Sequence, residues 1–211
     1  MASQSPARKP RPGLTPAIIT AAGRKLIERD GLEALTMRAV AAELNTAATS
    51  LYRHVADREA LLLAVLEEVA SGLPVDVAGR TPKKRLERRL VATHDYMADH
   101  VWVLHILIRG EMVAVNALPF ADACIGDFIA AGQRPREAYA AFLACWHLTI
   151  GELLDSHPLT PPPQPSQRSR AVAGIDPDEL PALAKVRDLG RSVTKDSFPR
   201  TIGKLLEALL S

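Results

Sequence analysis

Apolar positions recur at helical spacing along nearly the whole chain, and no segment alternates with the period-2 pattern of a half-buried strand. Thr15-Pro16 places an N-cap oxygen before a proline at the first helical position, and Ile18, Ala22 and Leu26 follow at four-residue spacing with Ile19 and Ile27 beside them. This predicts a first helix over about 16–30, ended by Gly31. Thr36 caps a short second helix with Val40, Ala41 and Leu44 inward, a break falls at Asn45-Thr46, and a third short helix covers about 47–54. Asp57 caps a fourth over 57–72, whose apolar face is Leu61, Leu62, Val65, Leu66 and Val69.

The rest of the chain is also expected to be helical. Thr81-Pro82 opens a fifth helix with Leu86, Leu90, Thr93 and Met97 in one stripe and a basic side at Lys83, Lys84, Arg85, Arg88 and Arg89. A short apolar sixth helix covers 101–110, a seventh runs from Pro119 to a stop at Gly132, and an eighth starts at Pro135 with Phe142, Trp146, Thr149, Ile150 and Leu153 on one face. Five prolines in 158–165 predict a flexible, exposed loop over 158–176. A weak helix near 178–186 and a strong last one with Ile202, Leu205, Leu206 and Leu209 complete an all-α chain.

Composition agrees with helices, since aromatic content is only 4% and Ala and Leu dominate. Cys124 and Cys145 sit in apolar segments, which predicts two buried thiols, no disulfide framework and a reducing, cytoplasmic home. The longest apolar run, Val101–Ile108, is too short to span a bilayer, so no membrane partner is expected. Net charge is only +2, but Arg8, Lys9 and Arg11 make residues 1–13 a basic arm free of acid. Such an arm suits phosphate contact or simple solubility.

The break before the third helix has helix-turn-helix form, in which the second helix must bury one narrow face and offer the other to a DNA groove. At 100° per residue, Ala47, Leu51 and Val55 group on one side and Thr49 and Arg53 point away, with Ser50 and Tyr52 on the flanks. Small Ala47 and Ala48 permit close approach to a duplex, Arg53 matches a guanine edge, and Thr49 or Ser50 can reach a base. Tyr52, His54, Arg38 and Arg58 are better placed for phosphates.

Over residues 14–65 the pieces Gly31-Leu32, "LTMRAVAAEL", "SLYRHV" and "ADREALL" resemble the N-terminal domain of the tetracycline-repressor (TetR) family. Asn45 stands where that family usually has Gly; Asn also tolerates a left-handed backbone, so the turn should survive. The resemblance implies DNA contact from Thr36, Met37, Arg38, Ala48, Thr49, Ser50, Tyr52, Arg53, His54 and Arg58. It also implies an arm at 1–13, a DNA-binding domain at 14–58 with the fourth helix as connector, and a larger helical domain at 73–211 that binds a small-molecule effector. The implied protein is a cytoplasmic homodimer on a near-palindromic operator, a regulator and most simply a repressor, with the eighth and last helices as the candidate bundle. "CWHLTIGELLD" is similar to the corresponding helix of the tetracycline-sensing members, but Ile108 falls where they carry a metal-binding histidine, which argues against a magnesium-tetracycline ligand.

His94, Met97, Trp102, His105, Met112, Asn116, Phe120, Phe128, Phe142, Trp146 and Thr149 are candidate pocket residues, an apolar set with a few polar anchors. Plain core is the competing reading for each, and His94, His100, His105 and His147 are expected as buried, hydrogen-bonded histidines. No His-x-x-x-His or Glu-x-x-His spacing occurs, so neither metal nor cofactor is expected. An all-helical enzyme would need a nucleophile elbow, a Cys-His signature or paired carboxylates, none of which the sequence supplies. A protein-binding adaptor rests on "LTPPPQP" alone.

Overall fold

The computed structural model describes residues 13–108, 112–157, 166–186 and 197–211, apart from the Arg168 side chain. The basic residues Arg8, Lys9 and Arg11 and the proline run 158–165 lie outside them. Every regular element among the described residues is helical. The chain divides into two compact units, Met1–Val69 and Ala70–Ser211, with the division inside the fourth helix.

In the first unit, α1 (Pro16–Asp30) starts where the Thr15 hydroxyl accepts the Ile18 N–H at 3.3 Å and stops at Gly31, whose φ of 86° needs a residue without Cβ. Its buried stripe is Ile19, Ala22, Gly23, Leu26 and Ile27, while Ile18 is only half-buried. After a 3-10 turn at Leu32–Ala34, the Thr36 hydroxyl caps α2 (Met37–Glu43) through Ala39 N–H at 3.1 Å. Asn45 takes φ 51°, and α3 (Ala48–Leu51) follows. α4 (Arg58–Ser71) begins with Asp57 accepting Ala60 N–H at 2.8 Å and buries Leu61, Leu62, Val65, Leu66 and Val69.

In the second unit come α5 (Pro82–Ala98), α6 (Val101–Leu107), α7 (Leu118–Ala130), α8 (Pro135–Ser156), α9 (Gln167–Ala173), α10 (Pro181–Val186) and α11 (Ser197–Leu209). α7 packs along α8, and α5 lies against α7, α8 and α11. The core of this layer is Leu86, Leu90, Thr93 and Met97 of α5, Phe120, Cys124 and Phe128 of α7, Ala141, Phe142, Cys145, Thr149 and Leu153 of α8, and Phe198, Ile202 and Leu206 of α11. α9 corrects the expected loop over 158–176 in part: Ser166, following the prolines, accepts Ser169 N–H at 3.1 Å and starts a helix. No helix among the described residues is long and apolar enough to cross a membrane.

Part of the basic side of α5 is paired within the fold. Arg85 donates from Nε to Asp127 Oδ1 at 2.7 Å, and Arg89, only 4% exposed, donates from Nη1 to Asp127 Oδ2 at 2.7 Å. The same arginines and Arg88 also donate to the carbonyls of Val75, Ala78 and Gly79. A Cβ on Gly79 would lie 2.7 Å from Arg85 Cγ and 3.0 Å from the Arg85 nitrogen, so this segment lies flat on α5 only because glycine is there.

Candidate nucleic-acid interface and interior site

Three short helices hold one another through a small core. Leu35 and Leu51 are fully buried, Val55 is 8% exposed, and a Cβ on Gly23 of α1 would meet Leu35 Cδ1 at 3.2 Å and Leu61 of α4 at 3.5 Å. Charge pins the periphery: Lys25 and Arg29 of α1 both reach Glu43 at the end of α2, at 2.7 and 3.2 Å. Those cations hold the Glu43 carboxyl below the usual carboxylate range, and Arg29 does the same to Asp30.

On this base the segment from Thr36 to His54 leaves most of its polar side chains exposed. Thr36, Arg38, Thr49, Tyr52, Arg53 and His54 are exposed, and Ala48 and Ser50 are half-buried. The tyrosine ring leaves 54% of its area to solvent. The cations of α1 are matched to acids, Arg24 to Glu28 and Glu68 and Arg29 to Asp30 and Glu43. Among the described residues no ion pair neutralises Arg38 or Arg53. The α2–turn–α3 segment therefore exposes unneutralised guanidinium charge along with hydroxyl, phenol and imidazole groups, which is the chemistry that suits a polyanion with readable edges.

The extent of α3 and the place of Ala47 are corrected here, and two candidate contacts, Met37 and Arg58, are located. The helical stretch of α3 ends at Leu51, and Tyr52–His54 continue as a tightened turn in which His54 N–H bonds the Leu51 carbonyl at 2.8 Å. Ala47 is the exposed residue before α3, with extended backbone (φ −79°, ψ 141°), not part of its buried face. Met37, the first residue of α2, is 7% exposed, so its side chain packs in the core. Arg58 turns its guanidinium back toward its own domain, onto the carbonyls of Leu35 at 2.7 Å and Leu32 at 3.3 Å.

In the second unit, the candidate pocket residues separate into groups. Phe120, Phe142 and Trp146 form one aromatic cluster, with ring centroids 6.2 Å apart for Phe120–Phe142 and 6.0 Å for Phe120–Trp146. Met97, Trp102 and Phe128 are buried on α5, α6 and α7, while Met112 and His105 are half-buried. Thr149 donates its hydroxyl to the Cys145 carbonyl at 2.8 Å, one turn back on its own helix. His94 stacks on Phe198 at 4.1 Å and 13°, with its Nε2 against the Glu152 carboxylate and Nδ1 3.2 Å from Asp95. That ties α5, α8 and α11 together. Asn116 is exposed and lines a groove of about 500 Å³ with Leu73, Val75, Val115, Leu118 and Pro119. Of the other histidines, His100 is buried and His147 is exposed on α8.

The Thr93 hydroxyl and the Trp102 indole N–H are among the buried polar groups with no hydrogen-bond partner among the described residues. Asp127 was missed by sequence reasoning. Its signal was a lone acid in the apolar run "ACIGDFI", paired with a helix carrying five cations on one side. No cluster of three or more His, Cys, Asp or Glu side chains able to hold a metal occurs among the described residues.

Comparison with known proteins bears directly on this surface. Residues 19–65 match the family described as "Bacterial regulatory proteins, tetR family". The transcriptional repressor DrrR1 of Streptomyces coeruleorubidus is 36% identical over 103 residues, 48% of this chain and 38% of its own. An HTH-type transcriptional regulator of Saccharopolyspora erythraea is 29% identical over 145 residues, 68% of this chain and 61% of its own. The chain thus spans less than two thirds of the length of either curated relative. Among solved structures, ActR of Streptomyces coelicolor in complex with (S)-DNPA superposes with a TM-score of 0.76 at 20% identity, over 93% of this chain and 97% of that one. A TetR-type regulator from the same organism gives 0.77 at 22%, over 94% and 98%. These two likenesses carry the fold across both units. Residues 19–65 thus carry the domain described as that of the tetR family of bacterial regulatory proteins, within a chain that shares the fold of the two solved structures.

Proposed function

We propose that this protein is a sequence-specific transcriptional regulator, not an enzyme, that acts in the cytoplasm as a homodimeric repressor on a near-palindromic operator and is released by a small molecule bound in its second unit. The observation that carries the reading is the exposed surface around Asn45, where Arg38 and Arg53 face solvent with no acidic partner among the described residues while Leu51 and Val55 anchor the turn. On this reading Arg53 and Thr49, with Ser50, read bases at the place where Ala48 lets the backbone approach. Thr36, the Met37 backbone, Arg38, Tyr52 and His54 fix register on phosphates. Two such surfaces in a dimer would enter adjacent major grooves about 34–36 Å apart.

The effector reading is supported by the Phe120, Phe142 and Trp146 cluster together with the unpartnered Thr93 and Trp102 groups. An indole N–H only donates, so an effector reaching it must offer an acceptor. A structural relative, ActR, is described in complex with actinorhodin. Dimerisation is assigned to α8 and α11, where Leu143, Ile150, Leu154, Leu205 and Leu209 remain half-exposed beside the buried stripe.

Selection of random duplexes by the full chain tests the proposal. A two-fold symmetric consensus is expected, and a failure to enrich any sequence over shuffled DNA at physiological salt sinks it. Arg53→Ala should relax preference at one base pair per half-site by ~1–3 kcal/mol. Arg38→Ala should weaken all sequences alike and reduce the salt slope by about 0.9 for each phosphate no longer neutralised.

A further inference from the structure

Arg58 stands at the first position of α4, where a cation opposes the positive end of the helix dipole. Its guanidinium does not reach outward. Nε donates to the Leu35 carbonyl at 2.7 Å and Nη2 to the Leu32 carbonyl at 3.3 Å, so one planar fork spans the Leu32 oxygen, which closes the 3-10 turn at Leu32–Ala34, and the Leu35 oxygen that follows the turn. Leu32 already accepts Leu35 N–H at 3.2 Å, and the arginine adds a second, charged donor to the same oxygen.

The residue after Leu35 connects this fork to recognition. It is Thr36, whose hydroxyl caps α2 and whose carbonyl takes the first helical bond, from Val40 N–H at 3.0 Å. The Leu35 side chain is fully buried, with Cδ1 set 3.2 Å from where a Cβ on Gly23 would lie. Leu35 is therefore fixed on its side chain by α1 and on its carbonyl by Arg58. From there the chain runs through seven residues of α2 into the Asn45 turn, where Thr46 N–H bonds the Ala41 carbonyl at 2.9 Å, and so to α3.

We infer that Arg58 is a positioning residue for DNA recognition: it sets the start of α2, and through α2 and the Asn45 turn the seat of α3, instead of neutralising a phosphate. The inference rests on the DNA-binding reading above for its functional half and on the bond geometry alone for its structural half. A lysine would keep the charge but offer a point donor where a fork is used, and a glutamine would lose the charge but keep a planar N–H₂.

The test uses the full chain, the duplex selected by the wild type, and a shuffled duplex of equal composition. In R58K the preference for the selected duplex should fall about ten-fold with the salt slope unchanged, because the variant gives up a charge-assisted bond to the frame and keeps every phosphate neutralised. Amide exchange of residues 37–43 in the DNA-free protein should quicken by about the same factor while α1 amides keep their protection. The inference is overturned if R58K keeps wild-type preference and α2 protection while R58Q lowers the slope by about 0.9 per subunit, since that is the behaviour of a phosphate contact. It is equally overturned if R58K quickens exchange in α1 and α2 alike, which is a general loss of stability. Should the wild type select no duplex, the DNA-binding reading fails by itself, and the exchange comparison still decides whether Arg58 braces α2.

Discussion

Asn45 holds φ 51°, a region that costs most side chains roughly 1–2 kcal/mol but that Asn visits readily. Asn45→Gly should therefore leave stability within ~1 kcal/mol and DNA preference unchanged, whereas Asn45→Val should destabilise by ~1–2 kcal/mol in urea titration and broaden the selected consensus. A consensus as sharp for the valine variant as for the wild type would show that α3 does not depend on this turn. The two cysteines give a pH prediction. Burial pushes the Cys124 and Cys145 thiols up to about 12 from 9.0. An acid whose pKa is raised by folding stabilises the protein fully below its unfolded value and loses that contribution as pH climbs to the folded value. Stability should thus fall between about pH 9 and about 12, by ~1.4 kcal/mol per pH unit for each thiol. The double variant Cys124→Ala/Cys145→Ala, compared with wild type in denaturant titrations at rising pH, should show a shallower fall; equal slopes would refute the assignment. At this scale Leu51, Val55 and Asn45 were legible in the sequence because each is fixed by a local rule. Met37 and Arg58 were not, because a family position tells which residue type contacts DNA, while burial in α2 and two carbonyls 23 and 26 residues away decide where these side chains go.

Helix starts were the most legible elements, since Thr15, Thr36, Asp57 and Thr81 each cap the helix that their sequence context announced. α3 was read too long because a four-residue helix followed by a tight turn carries the same apolar spacing as two full turns. For the basic side of α5 the sequence stops short of the pairing, because a charge pattern shows which face is polar, not what another helix brings to it. Asp127 of α7 brings a carboxylate to Arg85 and Arg89, and both members of the Arg89–Asp127 pair are buried. Removing one partner of such a pair leaves an uncompensated charge, so Asp127→Ala should cost ~3–5 kcal/mol in thermal unfolding. Replacing the pair together, as in Arg89→Met/Asp127→Leu, should recover most of that loss, although the Val75 carbonyl then loses the Arg89 Nε–H at 3.1 Å. A double variant as unstable as the single one would show that the arginine's grip on residues 75–79, not its charge pairing, dominates.

For the whole molecule, recognition of a symmetric operator requires two copies of the Asn45 surface held at fixed spacing, so the proposed dimer is a condition of the proposed function. α11 uses Phe198, Ile202 and Leu206, at four-residue spacing, to fill the core of its own unit. Leu205 and Leu209 stand one step aside and remain half-buried, as do Ile150 and Leu154 on α8, with which α11 packs. A carboxylate placed there has water available in a monomer but none in an apolar four-helix bundle, and burying it unpaired is unfavourable by several kcal/mol. Leu205→Glu should therefore sediment as a single chain of 22.8 kDa at micromolar concentration, with an unfolding transition still cooperative and near the wild-type midpoint. Its affinity for the selected duplex should drop ~100-fold or more, because two half-sites are no longer read by one linked particle. Affinity for shuffled DNA should change far less, since the Arg38 and Arg53 charges of each unit are untouched. Ile150→Glu on α8 should behave alike. Should both variants remain dimeric with full operator affinity, the bundle lies elsewhere on the second unit and the assignment of α8 and α11 is wrong.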